Sequence, residues 1–268
     1  MRACLPISRY SVSASAAKPY TSIIHAMWTT SEIPTKWKRS AETWITLNKD
    51  FVYCLWTDVE LEPFVADEYP WLLSTYHDYP YHIQRCDAAR YMILHRYGGT
   101  YADLDTVCRA PLWVVFAGVS VEAGVVAERK WPFGFSQDFV AVRRPRDPVV
   151  GGVLSGLRRA AASWWYLPLP YTTVMYRTGP VYFSRRVNCH DRREDVFAIP
   201  PSNHSKYMSY AGGASWHSWD GRIIWEMFQQ RYGILRLAIL LLAVVAFIRI
   251  GSIVSHAHQR PASFASFC

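Results

Sequence analysis

A pair of glycines constrains this chain more than any other feature. Over residues 83–97 the sequence repeats at helical spacing, with Cys86, Ala89, Ile93 and Tyr97 along one face and Asp87, Arg90 and Leu94 along another. Gly98 and Gly99 stop that helix, because glycine enters the left-handed cap conformation without strain. Beyond them residues 100–105 can run extended, where side chains two apart point the same way. Tyr101, Asp103 and Asp105 are therefore expected to project together.

The surrounding pattern reads as α/β. Residues 22–26 and 51–56 are short apolar runs bounded by polar residues, as in strands buried on both faces of a parallel sheet. Between them Trp37, Ala41, Trp44 and Asn48 recur at helical spacing behind Pro34, which makes a β-α-β beginning. Residues 113–116 and 139–142 read as further strands and 149–162 as a helix. With 268 residues, 51% of them apolar, the chain can bury the core of one large α/β domain. No repeat or low-complexity tract interrupts it.

Residues 1–20 read as a poorly ordered leader without the apolar stretch of a signal peptide. Residues 233–254 are interrupted only by Arg236 and Arg249, and their length matches a bilayer. They are expected to form a transmembrane helix, followed by a short tail over 255–268. Its flanking basic residues are too balanced to set a topology. Asn203-His204-Ser205 is an N-glycosylation sequon, meaningful only in the secretory lumen. The six cysteines form no CxxC pair, and no His cluster has zinc spacing. Lys and Arg exceed Asp and Glu by eight, which suits a phosphate-bearing partner or an anionic membrane surface. The basic clusters, 143–146 and Arg185-Arg186, are dispersed and carry no nucleic-acid module. One of them is a candidate contact for an acceptor phosphate or the anionic leaflet.

Two carboxylates on one side of an extended segment suit a hard divalent cation, which can bridge the oxygens of a diphosphate. An isolated Asp-X-Asp is equally at home in calcium loops and solvated turns. Here it follows Asp87-Ala88-Ala89-Arg90-Tyr91 and the glycine stop, and three further blocks accompany it: IIHAMWTTSEIP (23–34), YTTVMYRTGP (171–180) and GGASWHSWD (212–220). Together with RCDAARYMILHRYGGTYADLDTVCRAPL (85–112), the four blocks resemble glycosyltransferase family 32, the DXD sugar-transferring group. Within it they look most like the fungal branch that mannosylates inositol phosphorylceramide.

That resemblance implies a GT-A glycosyltransferase domain over residues 21–232, with a central mostly parallel sheet. It implies a metal-dependent, configuration-retaining transfer of mannose from GDP-mannose to inositol phosphorylceramide. The cofactor would be a divalent ion, Mn2+ or else Mg2+, held by Asp103 and Asp105, with His217 as its extra ligand or as a phosphate contact. Trp28 matches the tryptophan that stacks on the nucleotide base. Asp87 and Arg90 match contacts to the donor sugar, Tyr101 lies beside the donor, and Gly98 and Gly99 belong to the same donor-binding block. Asp138 is expected to orient the acceptor hydroxyl or to stabilise the cationic sugar. The family usually has Ser-Asn-Asp where this chain has Ser136-Gln137-Asp138, so the longer Gln137 is expected to move an amide that would face sugar or acceptor. The family also implies a Golgi membrane and a regulatory subunit. A lone C-terminal span inserted after synthesis would instead leave residues 1–232 in the cytosol, unless an anchor precedes the first residue.

The rival readings are a transferase acting on N-linked or other glycans and a catalytically silent membrane-anchored binding protein on the same fold. A two-metal phosphohydrolase lacks the additional His and Asp ligands that it would need. Taken without the four blocks, Asp87 and Arg90 would be a surface i, i+3 ion pair, Trp28 a core aromatic and His217 a structural histidine.

Overall fold

The computed structural model describes residues 20–130, 134–163, 169–213, 219–229, 238–242 and 244. Two compact units divide the chain, residues 1–216 and 217–268. In the first, β1 (Ile23–Met27), α1 (Thr35–Leu47) and β2 (Val52–Trp56) form the expected β-α-β start. Next come α2 (Asp58–Glu68), α3 (Leu73–His77), α4 (His82–Tyr97), β3 (Gly99–Ala102), β4 (Thr106–Cys108), α5 (Leu112–Phe116), β5 (Val125–Lys130) and β6 (Gly134–Val142). The unit finishes with α6 (Pro148–Ala161), α7 (Pro170–Arg177), α8 (Pro180–Asn188), β7 (Val196–Ile199), α9 (Pro201–Tyr207) and β8 (Met208–Tyr210).

Six strands form one sheet in the order β2-β1-β3-β6-β5-β7, and β4 pairs with β8 in a separate two-stranded sheet. Three of the five pairings in the large sheet are parallel, and the two made by β6 are antiparallel. Side chains alternate across it as the pleat requires. Tyr101, Val125, Ala127, Val140 and Val142 enter one apolar cluster with α4, α6 and α8, whereas Ala102, Val126, Phe139 and Ala141 enter another with Trp44 of α1 and Leu112 of α5. The result is a three-layer α/β sandwich.

Two expectations are corrected. Residues 113–116 are helical: Pro111 caps the run in an extended conformation, and the carbonyl of Trp113 accepts from Ala117 N–H. Helix α4 is buried almost all round from Asp87 to Leu94 instead of presenting a solvated face.

The second unit contributes helix α10 (Trp219–Gln229) and the helical residues 238–242 and 244. Among the described residues no helix is long and apolar enough to cross a membrane. Most of the expected span, 233–254, lies outside the described residues, as does the leader before Tyr20.

Candidate active site at the carboxyl ends of β1 and β3

In this sheet β1 leads to β2 on one side, while β3 joins β1 on the other. Such a reversal opens a crevice at the carboxyl ends of the two central strands, where open α/β sheets bind ligands. The register His25↔Tyr101 brings Trp28, just past β1, level with the residues that follow β3. Those residues are Asp103, Leu104 and Asp105.

The extended segment is shorter than the sequence suggests. Strand β3 ends at Ala102, and Thr106 N–H bonds back to the Asp103 carbonyl at 2.9 Å, so Leu104 and Asp105 form a turn. Tyr101 and Asp103 still meet, because the Tyr101 hydroxyl donates to Asp103 Oδ1 at 2.7 Å. Asp105 is placed by a distant segment. Ala211 N–H donates to its carbonyl at 2.7 Å, and a methyl group built on Gly213 would lie 1.7 Å from Asp105 Oδ2. No side chain fits at 213 while that carboxylate keeps its place. Antiparallel pairing of Thr106 with Tyr210 brings residues 208–213 there.

Behind Asp103 stands a buried polar chain. Arg90 Nη2 donates to Asp103 Oδ1 at 3.1 Å, its Nη1 reaches Asp87 Oδ1 at 3.3 Å, and its guanidinium lies 4.4 Å over the Tyr101 ring. Asp87 also accepts from Gln137 Nε2 at 2.5 Å and from Thr178 Oγ1 at 2.9 Å. The Tyr91 hydroxyl contacts Gln137 Oε1 and donates to the Thr178 carbonyl at 2.7 Å. Asp87 is 1% exposed and Arg90 3%. They are therefore neither a surface ion pair nor open to a sugar in this conformation; they hold Asp103 from behind. Gln137 likewise turns its amide inward, away from the side where sugar or acceptor was expected.

Asp138 lies across the strand from Asp103, whose N–H donates to the Asp138 carbonyl at 2.9 Å. Its carboxylate accepts from Lys130 Nζ at 2.6 Å. Lys130 also meets the Tyr210 hydroxyl at 2.5 Å, and that hydroxyl donates to the buried Glu128 at 2.7 Å. His204 stacks on Tyr210 at 5.0 Å. His204 Nδ1 comes within 2.6 Å of Glu128 Oε1, yet the pair is not aligned as a hydrogen bond.

Burial, together with the Asp138 and Asp105 charges and against the pull of Arg90, raises the Asp103 pKa. Asp138 goes the other way: burial would raise it, but the Lys130 ammonium holds it below the ordinary carboxylate value. Burial also pushes Asp87 up to about 6, despite Arg90 and Thr178. Negative charge concentrated on Asp103 and Asp105, with hard oxygen atoms facing a crevice, suits a divalent cation that completes its shell with phosphate and water. Among the described residues no group of three His, Cys, Asp or Glu side chains is placed to hold a metal ion. The expected third ligand, His217, lies outside the described residues.

Trp28 is half-buried at the rim, edge-on to Trp37 at 5.0 Å, and Trp37 Nε1 approaches the Gly212 carbonyl at 3.5 Å. Trp28, Tyr101, Asp103, Asp105 and Asp138 thus share one end of the sheet. Gly98 and Gly99 do not. They sit at the other end of β3 with φ of 65° and 84°, and a methyl group on Gly99 would lie 2.6 Å from the Ile23 carbonyl. That corner is fixed by His25, whose Nε2 pairs with the Gly98 carbonyl at 3.0 Å while Trp56 Nε1 donates to its Nδ1 at 3.2 Å. Arg143 is also at that end, its guanidinium donating to the carbonyls of Ala123 and Ser120, each at 3.0 Å. His25, Lys130, Thr178 and Tyr210 were not anticipated. His25 and Thr178 lay within quoted blocks; Lys130 and Tyr210 gave no sequence signal.

Residues 34–122 match the family described as the glycosyltransferase sugar-binding region containing the DXD motif. Inositol phosphoceramide mannosyltransferase 3 of Schizosaccharomyces pombe is 34% identical over 231 residues, which cover 80% of this chain and 60% of that protein. Mannosyl phosphorylinositol ceramide synthase CSH1 of Saccharomyces cerevisiae is 32% identical over 212 residues, 75% of this chain and 54% of that protein. The chain thus spans little more than half the length of these relatives. The solved PaToxG glycosyltransferase, 17% identical, covers 63% of this chain and 68% of its own with a TM-score of 0.42, a likeness too loose to argue from.

Proposed function

We propose that this chain, whose residues 34–122 match the glycosyltransferase sugar-binding region containing the DXD motif, transfers mannose from GDP-mannose to inositol phosphorylceramide. The observation that carries the reading is the meeting of Asp103, Asp105 and Asp138 at the carboxyl ends of β1 and β3, the end of the sheet that also carries Trp28. In this reading the fold is of GT-A type and the transfer retains configuration at the sugar.

Asp103 and Asp105 would hold a divalent ion, Mn2+ or Mg2+, which when bound supplies positive charge to the departing nucleoside diphosphate. The chain's own residues do the rest. Trp28 offers an aromatic face on which a base can stack. Tyr101 and Arg90 fix Asp103, so its carboxylate needs no reorganisation when charge develops nearby. Asp138, kept ionised by Lys130, orients the acceptor hydroxyl on the side of the crevice away from Trp28.

The acceptor would be a lipid at a secretory-pathway membrane, Golgi by family resemblance, with the apolar segment 233–254 as anchor and a regulatory subunit as a further partner. Occupied glycosylation at Asn203 in cells would place the domain in the lumen. The central test is hydrolysis of a panel of nucleotide sugars by detergent-solubilised protein, with Mn2+ or with chelator. Metal-dependent turnover of GDP-mannose, abolished in the folded Asp103→Asn, Asp105→Asn double variant, is the expected result. A well-folded protein that neither binds nor turns over any donor would sink the proposal and favour the silent binding protein.

A further inference from the structure

Helices α6 and α8 flank an open cavity of about 290 Å³, which among the described residues is lined by none of the carboxylate site. Arg159 enters it from α6, Arg185 and Arg186 from α8, and Tyr176 and Tyr182 complete its wall. Among the described residues no Asp or Glu lines it. Arginines in a last helical turn ordinarily balance the macrodipole. These differ in converging on one cavity from two helices.

The cavity is built around a fixed guanidinium. Arg186 donates from Nε at 3.0 Å and from Nη2 at 2.7 Å to the carbonyl of Gly152, which clamps its plane against α6. Gly156 makes that approach possible, since a methyl group there would lie 2.9 Å from Arg186 Nε and 2.7 Å from the Tyr182 hydroxyl. Arg186 Nη1 has no hydrogen bond among the described residues, where its Nε and Nη2 both go to the Gly152 carbonyl, and the cavity's described lining offers it no acidic partner. A planar guanidinium held in one orientation, with the exposed Arg159 lining the same cavity, matches the geometry of a phosphate oxyanion.

We propose that this cavity is a second ligand site, for a phosphate group presented either as free phosphate or in the headgroup of a phospholipid. The site is independent of the donor crevice and of the reaction assigned to it. Electrostatic capture dominates, so binding weakens as salt is added.

The test is calorimetric titration of the detergent-solubilised full chain with inorganic phosphate and, separately, with glycerophosphoinositol, for wild type and Arg159→Gln. Arg159 is exposed and bonds to nothing that the fold needs, so the variant should stay folded. Removing one charge-assisted contact should weaken binding about tenfold. Tighter binding of inorganic phosphate identifies a soluble ligand, and tighter binding of glycerophosphoinositol a lipid headgroup; either is supported by the loss in Arg159→Gln. Binding of neither probe, or binding that Arg159→Gln leaves unchanged, overturns the proposal. Gly156→Val, which forces Arg186 off α6, is the second variant and should weaken the same probe.

Discussion

His25 should make this protein lose stability in mild acid. It is fully buried in β1, and its neighbours dictate the neutral ring: the Gly98 carbonyl requires a proton on Nε2, and the Trp56 indole N–H requires a lone pair on Nδ1. A second proton would set Nδ1–H against the indole N–H. Burial accordingly lowers the His25 pKa from 6.5 to about 4, although the Gly98 contact opposes it. The unfolded chain binds a proton near pH 6.5 and the folded one resists until about pH 4, so stability is full above 6.5 and falls as pH drops between those values. At about 1.4 kcal/mol per pH unit the whole loss is roughly 3 kcal/mol, and about 2 kcal/mol of it falls between pH 7 and pH 5. Asp87, pushed up to about 6, acts with the opposite sign, because the folded state binds its proton first as pH falls. Urea denaturation of wild type and His25→Gln across that range removes the Asp87 effect by difference. The variant carries a constant penalty for its altered bonds but lacks the acid slope. Parallel pH profiles for the two proteins, or an NMR titration showing His25 charged at pH 5.5, would refute the argument.

Three further outcomes follow from the geometry. Gly99→Ala puts a methyl group 2.6 Å from the Ile23 carbonyl at a φ of 84°, and should cost at least about 2 kcal/mol in chemical denaturation. Thr178→Val keeps the shape but leaves the buried Asp87 one donor short, which should lower stability by roughly 1.5–3 kcal/mol at neutral pH; an unchanged urea midpoint would mean that the donor is dispensable. Lys130→Met removes the charge that holds Asp138 down, so the acid limb of the kcat profile should move to higher pH; an unmoved limb would divorce Asp138 from the rate.

The parts legible in the sequence are those written in local spacing. β1, β2 and α1 follow from short apolar runs and one helical repeat, and α4 from its glycine stop. The run at 113–116 is ambiguous in the sequence because four apolar residues fit either a strand or one helical turn, and the decision lies with Pro111. β5 ends in the polar residues Glu128, Arg129 and Lys130, which hide a strand. The carboxylates of the crevice were legible because two stand in one motif. Their supports were not, since Thr178 meets Asp87 across 91 positions and Tyr210 meets Glu128 across 82, distances over which no periodicity speaks.

The covering of Asp105 by Gly213 bears on how the protein is made. During synthesis the Asp103-Asp105 turn emerges while its cover, more than a hundred residues further on, is still to be translated. The central sheet from β1 to β6 can pair first, and the β4–β8 pairing closes over the turn only afterwards. Until then the nascent chain exposes two acidic side chains with their final strand behind them and nothing in front. Substitutions in residues 208–213 that slow this closure should therefore lower the yield of competent protein while leaving the core of those molecules that do finish unaltered.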